Sequence, residues 1–194
     1  MEGERLSGAV ALSELCSLVT LSRVSRRAWD RALALSIVLP EKFGKPDFLF
    51  APDPAYQMRE PAGEANYVRP LMTIEPTAVR YQMPMQTPRG YGDANQLEQE
   101  LANPKYAAAT VFVAWEHVNA ESMAKGLMEL FHPDASVIPH WQGSDFDSLY
   151  VVRIARSPNR PPVASFILEH ENLNGQSNKM PLPMPVDPRE MSSP

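Results

Sequence analysis

The sequence predicts a single α/β domain, a three-layer sandwich in which a mainly parallel sheet carries helices on both faces. Stretches with helical spacing of apolar residues alternate along the chain with short apolar runs. The run TVFVAW at residues 110–115 is continuously apolar, which is typical of a strand covered on both faces. The length of 194 residues suits one domain with a substantial core.

The predicted elements alternate between helices and strands until the last two, which are both strands. Apolar residues three and four apart predict helices at residues 22–39, 67–81, 93–101 and 119–131. Short apolar runs predict strands at residues 47–51, 83–87, 110–115, 149–154 and 163–168, with a hairpin-like turn before the last. The proline-rich stretch 52–65 is expected to be a loop. Pro40 is expected to limit the first helix, and Pro76 to bend or interrupt the second.

Composition excludes several function classes. The net charge of −5 argues against a nucleic-acid or anionic-membrane partner, and no apolar run is long enough to span a bilayer. The lone cysteine, Cys16, allows no intrachain disulfide and no cysteine-based metal site, so a cytoplasmic location is expected. No glycine-rich phosphate loop or other cofactor motif is present, and we expect no cofactor and no metal. The proline-rich end, residues 178–194, is expected to be an extended tail.

The candidate site lies where the strands end, because ligands of parallel sheets bind at the carboxyl ends of strands. Three segments are expected to meet there: the loop after Ala51, the turn at residues 90–93, and residues 115–117. His117 follows the most apolar strand and precedes a helix, whose N-terminal amides favour anions. It is a candidate phosphate ligand or acid–base group, with helix capping as the alternative.

Two further residues near this edge carry suitable chemistry. Arg69 begins a helix after a loop that leaves a strand, and a guanidinium there can bind phosphate through two hydrogen bonds. Glu116 is a candidate general acid, or else a surface or helix-capping residue. The other arginines of note lie on one helix and are expected to form a solvated face or, alternatively, to contact an anionic partner: Arg23, Arg26, Arg27 and Arg31. The remaining histidines show no ligand spacing and are expected at the surface or in loops: His132, His140 and His170.

The ordered segments resemble the histidine phosphatase superfamily, the phosphoglycerate mutase-like proteins. The likeness spans residues 31–177 and is carried by RALALSIVLPEKFGKPDFLFAPDP, YVRPLMTIEPTA, TVFVAWEHVNAESMAKGL, SDFDSLYVVRI and SFILEHENLNGQS. The resemblance implies a phosphoglycerate mutase-like α/β fold and phosphoryl transfer through a phosphohistidine, with phosphorylated small molecules or phosphate as the partners. It leaves the oligomeric state open.

The resemblance also implies roles for individual residues. Arg69, with Thr73 four residues later, matches the arginine that follows the family's second strand and binds phosphate. His117 matches the second pocket histidine, which binds phosphate and stabilises its charge during transfer. Asp93 and Glu116 are the candidates for the acid that protonates the leaving group, with Asp93 preferred.

The opening of the chain departs from the family pattern. Family members begin with a strand that ends in Arg-His-Gly or Arg-His-Ala, and that histidine is the nucleophile. Here no histidine precedes His117, and neither Cys16 nor Ser22 carries the surrounding motif. Residues 1–30 are therefore either the opening of a non-catalytic relative or an altered opening, which would leave the sheet without its central first strand. The first interpretation implies a pseudoenzyme, whereas under the second an unaltered opening that ends in Arg-His would restore the enzyme. In the sequence as it stands the nucleophile is missing, so impaired or absent catalysis is expected.

Overall fold

The computed structural model describes residues 9–13, 26–60, 63–131, 134–157 and 159–173. Within these ranges the chain forms strands β1 (Ala9–Ser13), β2 (Phe48–Phe50), β3 (Gln57–Glu60), β4 (Gly63–Asn66), β5 (Met85–Gln86), β6 (Val111–Ala114), β7 (Ser148–Ser157) and β8 (Arg160–His170). The helices are α1 (Arg26–Phe43), α2 (Arg69–Tyr81), α3 (Ala94–Leu101) and α4 (His117–Phe131), with a 3-10 turn at Pro104–Tyr106. Every helix and strand expected from the sequence is present within a few residues of its predicted place. The proline-rich tail, residues 178–194, lies outside the described residues.

Six strands form one sheet in the order β5-β2-β6-β1-β7-β8. The pairs β5–β2, β2–β6 and β6–β1 are parallel, whereas β1–β7 and β7–β8 are antiparallel. The prediction of an α/β fold with a mainly parallel sheet is therefore confirmed. Strand β1 pairs with β6 from Val10 opposite Val111 to Ser13 opposite Ala114. The structure thus has a strand at the central position that an altered opening would leave empty.

Alternate residues of β6 enter two different clusters of buried apolar side chains. Val111 and Val113 pack with residues of α3 and α4, among them Leu97 and Met123. Phe112 and Ala114 belong to a second cluster with residues of α1 and α2, which include Leu35 and Ile74. Because successive strand residues point to opposite faces, this division explains why the strand sequence is apolar without alternation.

The proline-rich stretch after β2 is not simply the loop that the sequence predicts. Strands β3 and β4 form an antiparallel hairpin, with Gln57 opposite Asn66. The side-chain amide of Asn66 donates to the Pro54 carbonyl at 2.7 Å and ties the base of the hairpin to the preceding loop. The hairpin lacks the apolar–polar alternation by which strands are predicted, since most of its described residues are exposed.

Two prolines lie within helices, where Pro40 is expected to limit the first helix and Pro76 to bend or interrupt the second. Helix α1 continues through Pro40 to Phe43, and α2 continues through Pro76 to Tyr81. Each proline removes one backbone donor from its helix, but Pro76 is buried in the packed face of α2. Tertiary packing therefore outweighs the local penalty.

Arg31 does not belong to a solvated arginine face, contrary to that expectation. Its Nε donates to Glu171 Oε2 at 2.8 Å, and its Nη2 lies 3.1 Å from Asp147 Oδ1 and also donates to the Phe146 carbonyl. The Glu171 side chain has no exposed surface. Burial raises the pKa of Glu171 to about 8, although Arg31 acts to lower it. Arg31 therefore joins α1 to the end of β8, while Arg23 and the side chains of Arg26 and Arg27 lie outside the described residues.

We expect Arg31→Met to lower the free energy of unfolding by about 3 kcal/mol, because it leaves buried carboxylates without their cation. The loss should be larger at pH 9 than at pH 6. A carboxyl group whose folded-state pKa is raised destabilises the protein progressively as pH rises toward that pKa, which is about 8 for Glu171 in the parent. Removing Arg31 raises this pKa further, so the variant continues to lose stability at pH values where the parent no longer does. Urea unfolding at both pH values measures this. Lys42→Met, which removes the exposed pair with Glu169, is the control and should cost less than about 1 kcal/mol. Equal losses for the two variants would contradict the role of Arg31.

Candidate functional site

The carboxyl ends of β1, β2, β5 and β6 lie along one edge of the sheet, here called the carboxyl edge. The loops that leave β2 and β5 are joined there, since the Asp53 amide donates to the Arg89 carbonyl at 2.7 Å. The Ala51 amide donates to the Gln86 carbonyl at 3.1 Å and continues the parallel pairing. Two of the segments that the sequence places at this edge, the loop after Ala51 and the chain that leads into the turn at residues 90–93, are therefore next to one another.

The turn at residues 90–93 is fixed to the end of β6 and the start of α4. The indole N–H of Trp115 donates to the Tyr91 carbonyl at 3.0 Å, and the side-chain amide of Asn119 approaches the same oxygen at 3.4 Å. Trp115 is fully buried, so its N–H needs a partner inside the protein. The position of the turn is thereby set by the core.

Two tyrosines connect Arg69 with this turn. The Arg69 guanidinium lies over the ring of Tyr67, 5.3 Å from its centroid. The Tyr67 ring in turn meets the Tyr91 ring edge-to-face, with centroids 5.1 Å apart. Tyr67 is buried, and Arg69 is the first residue of α2. Arg69 and the start of α4 are thus linked through a continuous series of contacts at the carboxyl edge.

His117 and Glu116 lie side by side after β6 has ended. The His117 Nδ1 atom is 2.8 Å from Glu116 Oε1, and the histidine side chain is one quarter exposed. Glu116 Oε2 also accepts the Asn119 amide at 3.2 Å, and the Glu116 carbonyl accepts the Ala120 amide at 2.8 Å. Glu116 therefore caps α4, the alternative that the sequence left open, and its other carboxylate oxygen lies beside the imidazole.

Asp93 lies at the carboxyl edge. It immediately precedes α3, but its side chain makes no capping hydrogen bond to the backbone of that helix. Its Oδ2 accepts the Gly90 amide at 3.2 Å, and its Oδ1 accepts the Gln96 side-chain amide at 3.0 Å. These contacts close the turn at residues 90–93 on itself. The Asp93 carboxylate is consequently held beside Gly90.

A second loop, residues 139–147, lies against His117. A Cβ atom on Gly143 would be 3.4 Å from His117 Nε2, so this glycine borders the imidazole. Glu121, on α4, holds the loop because it accepts the Trp141 amide at 2.7 Å and contacts His140 Nδ1 at 2.8 Å. Burial raises the pKa of Glu121, but hydrogen bonds from Lys125, Trp141 and His140 outweigh it and hold the pKa below its usual value.

The site residues predicted from the sequence lie at the ends of helices and strands, whereas the residues that connect them were not predicted. Arg69, Asp93, Glu116 and His117 all lie at the carboxyl edge, as expected. The contacts made by Tyr67, Tyr91, Glu121 and Gly143 depend on tertiary structure, and no spacing in the sequence predicts them. Cys16 and Ser22 lie outside the described residues.

Neither a metal-binding cluster nor a membrane-spanning helix occurs among the residues that the structure describes. Among these residues no group of three or more histidine, cysteine or carboxylate side chains is arranged to hold a metal ion. No helix within the described ranges has the length and apolar character needed to cross a membrane.

Solved structures of phosphatases and mutases share this fold. A mycobacterial glucosyl-3-phosphoglycerate phosphatase superimposes with a TM-score of 0.55 at 10% identity, over 82% of this chain and 97% of its own. A structure from Nakamurella multipartitia that is named as the phosphohistidine phosphatase SixA superimposes with a TM-score of 0.53 at 12% identity, over 84% of this chain and 96% of its own. A phosphoglycerate mutase from Plasmodium falciparum superimposes with a TM-score of 0.52 at 8% identity, over 82% of this chain and 89% of its own. No family model and no curated protein matches the sequence. The resemblance to the histidine phosphatase superfamily is therefore confirmed at the level of the fold.

We expect Glu121→Gln to lower the free energy of unfolding by about 2 kcal/mol at pH 7, because a charged acceptor of several hydrogen bonds is lost. A carboxylate whose folded-state pKa is depressed stabilises the protein above its unfolded pKa, and that contribution disappears as pH falls through the folded value. The difference from the parent should therefore shrink between pH 6 and pH 3. Urea unfolding across this range measures it, with Glu129→Gln on the exposed face of α4 as the control. A pH-independent difference would contradict the assigned role.

Proposed function

We propose that this protein binds phosphorylated small molecules or phosphate at the carboxyl edge, in a histidine phosphatase-like pocket formed by Arg69 and His117. We propose further that catalysis is impaired or lost, because the nucleophilic histidine of that superfamily has no counterpart before His117. In this proposal the fold is the three-layer sandwich of the phosphoglycerate mutase-like proteins, comprising residues 31–177 and preceded by an atypical segment.

One observation carries the proposal: the contacts that run from Arg69 through the tyrosine pair to the start of α4. They support a pocket in which a guanidinium and an imidazole approach one bound group. Both residues also begin helices, and the positive end of a helix dipole favours an anion. The solved neighbours named above as two phosphatases and a mutase agree with a phosphorylated ligand.

Each residue has a distinct role in the proposed pocket. Arg69 would bind two phosphate oxygens through its fork of N–H donors. His117 would donate to a third oxygen and stabilise its charge, while Glu116 orients the imidazole through Nδ1. Asp93 is the proposed acid for the leaving group, and Glu116, which also caps α4, is the other candidate.

The missing nucleophile determines whether the protein can hydrolyse a phosphoester bound in the pocket. The carboxyl end of β1, where the superfamily places that histidine, lies beside β6 with Ser13 opposite Ala114. The sequence after Ser13 reads ELCS and contains no Arg-His pair. A phosphohistidine route therefore has no histidine here to act as the nucleophile.

The alternative function is a non-catalytic phosphate-binding or protein-interaction domain of the same fold. Asp93 favours this alternative, because both of its carboxylate oxygens are engaged within its own turn and helix. In either form we propose no nucleic-acid partner, given the net charge of −5, and a cytoplasmic location. The two proposed functions use the same pocket and differ in whether a bound phosphoester is hydrolysed.

Phosphate titration followed by thermal unfolding tests the pocket. At ten times the dissociation constant, inorganic phosphate should raise Tm by about 4 °C. Arg69→Ala and His117→Ala should abolish the shift, whereas Arg153→Ala, an exposed arginine at the opposite edge of the sheet, should retain it. No shift in the parent protein would refute the proposal.

Hydrolysis of an aryl phosphate by the same preparations separates the two functions. A slow turnover that disappears in His117→Ala identifies a residual enzyme. Phosphate-dependent stabilisation without turnover identifies the non-catalytic alternative.

A further inference from the structure

Tyr56 is a large aromatic side chain that remains exposed at the carboxyl edge. It lies in the loop after β2, and 57% of its surface is accessible. The backbone of this loop is held by side-chain and main-chain contacts, since Asp53 Oδ1 accepts the Ala55 amide at 2.8 Å and the Asp53 carbonyl accepts the Tyr56 amide at 3.3 Å. An aromatic ring held in this way can offer a ligand its face with little loss of conformational entropy.

Gly90 places the Tyr56 ring beside the proposed acid. A Cβ atom on Gly90 would lie 2.8 Å from Tyr56 Cγ and 3.2 Å from Asp93 Oδ2, so the ring and the carboxylate approach the same point. Gly90 also precedes Tyr91, whose ring belongs to the series of contacts that leads to Arg69. Tyr56 thus lies at the end of the site nearest Asp93, where the leaving group of a phosphoester would lie.

The charges around Tyr56 select against a second anion. Asp53 belongs to the same tight turn as Tyr56, and Asp93 lies beside the ring. The nearby Arg89 guanidinium offers little compensation, because it points toward Glu100, 4.0 Å away. A leaving group that carries its own carboxylate or phosphate would meet two carboxylates here, whereas a neutral ring would meet an exposed aromatic face.

We propose that the pocket prefers phosphate monoesters of uncharged aromatic alcohols, with the ring of the ester stacked on Tyr56. This inference rests on the proposed function, since it assigns the leaving-group end of the same pocket. The selectivity comes from Tyr56, from the glycine that gives its ring room, and from the two flanking carboxylates.

Binding of three probes tests the inference separately from the proposed function. Calorimetric dissociation constants are measured for inorganic phosphate, methyl phosphate and phenyl phosphate. Phenyl phosphate should bind about threefold to tenfold more tightly than methyl phosphate, the range expected for one aromatic contact. In Tyr56→Ala this ratio should fall to about 1.

Three further variants identify the cause of any change. Tyr56→Phe keeps the ring and should keep the ratio. Gly90→Ala pushes the ring aside and should lower the ratio as Tyr56→Ala does. Tyr81→Ala, at the far end of α2, removes a tyrosine outside the site and should leave the ratio as it is in the parent.

Each outcome has one meaning. A ratio of about 1 in the parent, or one that survives in Tyr56→Ala, overturns the aromatic preference even though inorganic phosphate still binds. If none of the three probes binds, the proposed pocket fails and the inference fails with it. A raised ratio that is lost in both Tyr56→Ala and Gly90→Ala supports it.

Discussion

The hydrogen bond from the Trp115 indole to the Tyr91 carbonyl is the contact on which the candidate site depends. Trp115 is fully buried at the end of β6, so its N–H must find an acceptor within the protein. The acceptor is the turn at residues 90–93, which is thereby fixed to the sheet. That turn positions the Tyr91 ring against Tyr67, and Tyr67 lies beneath the Arg69 guanidinium. A packing requirement in the core therefore sets the geometry of a site at the surface.

The arrangement of the elements follows from sequence patterns, whereas the contacts between them do not. The run VFVA predicts a buried strand because its residues pack on both faces, and the structure confirms it. The hairpin of β3 and β4 escapes prediction because its exposed residues show no apolar alternation. Arg31 has the spacing of a solvated helix face, yet its partners Asp147 and Glu171 are more than one hundred residues away. Such long-range ion pairs leave no local signature.

The opening of the chain retains a strand and lacks the expected histidine. Strand β1 occupies the centre of the sheet between β6 and β7, the position at which the family resemblance implies a first strand. Its sequence, AVALS, leads into no Arg-His pair. The strand can therefore be present without the nucleophile, because a buried strand requires only apolar residues that pair, whereas nucleophilic attack requires one particular side chain.

The central claim is that Arg69 and His117 bind one phosphate group. Crystals soaked in tungstate, an oxyanion of similar shape that scatters strongly, test it most directly. We expect an anion within about 3 Å of both the Arg69 guanidinium and the His117 imidazole. An anion bound only elsewhere, or none at the carboxyl edge under conditions that saturate the protein, would contradict it.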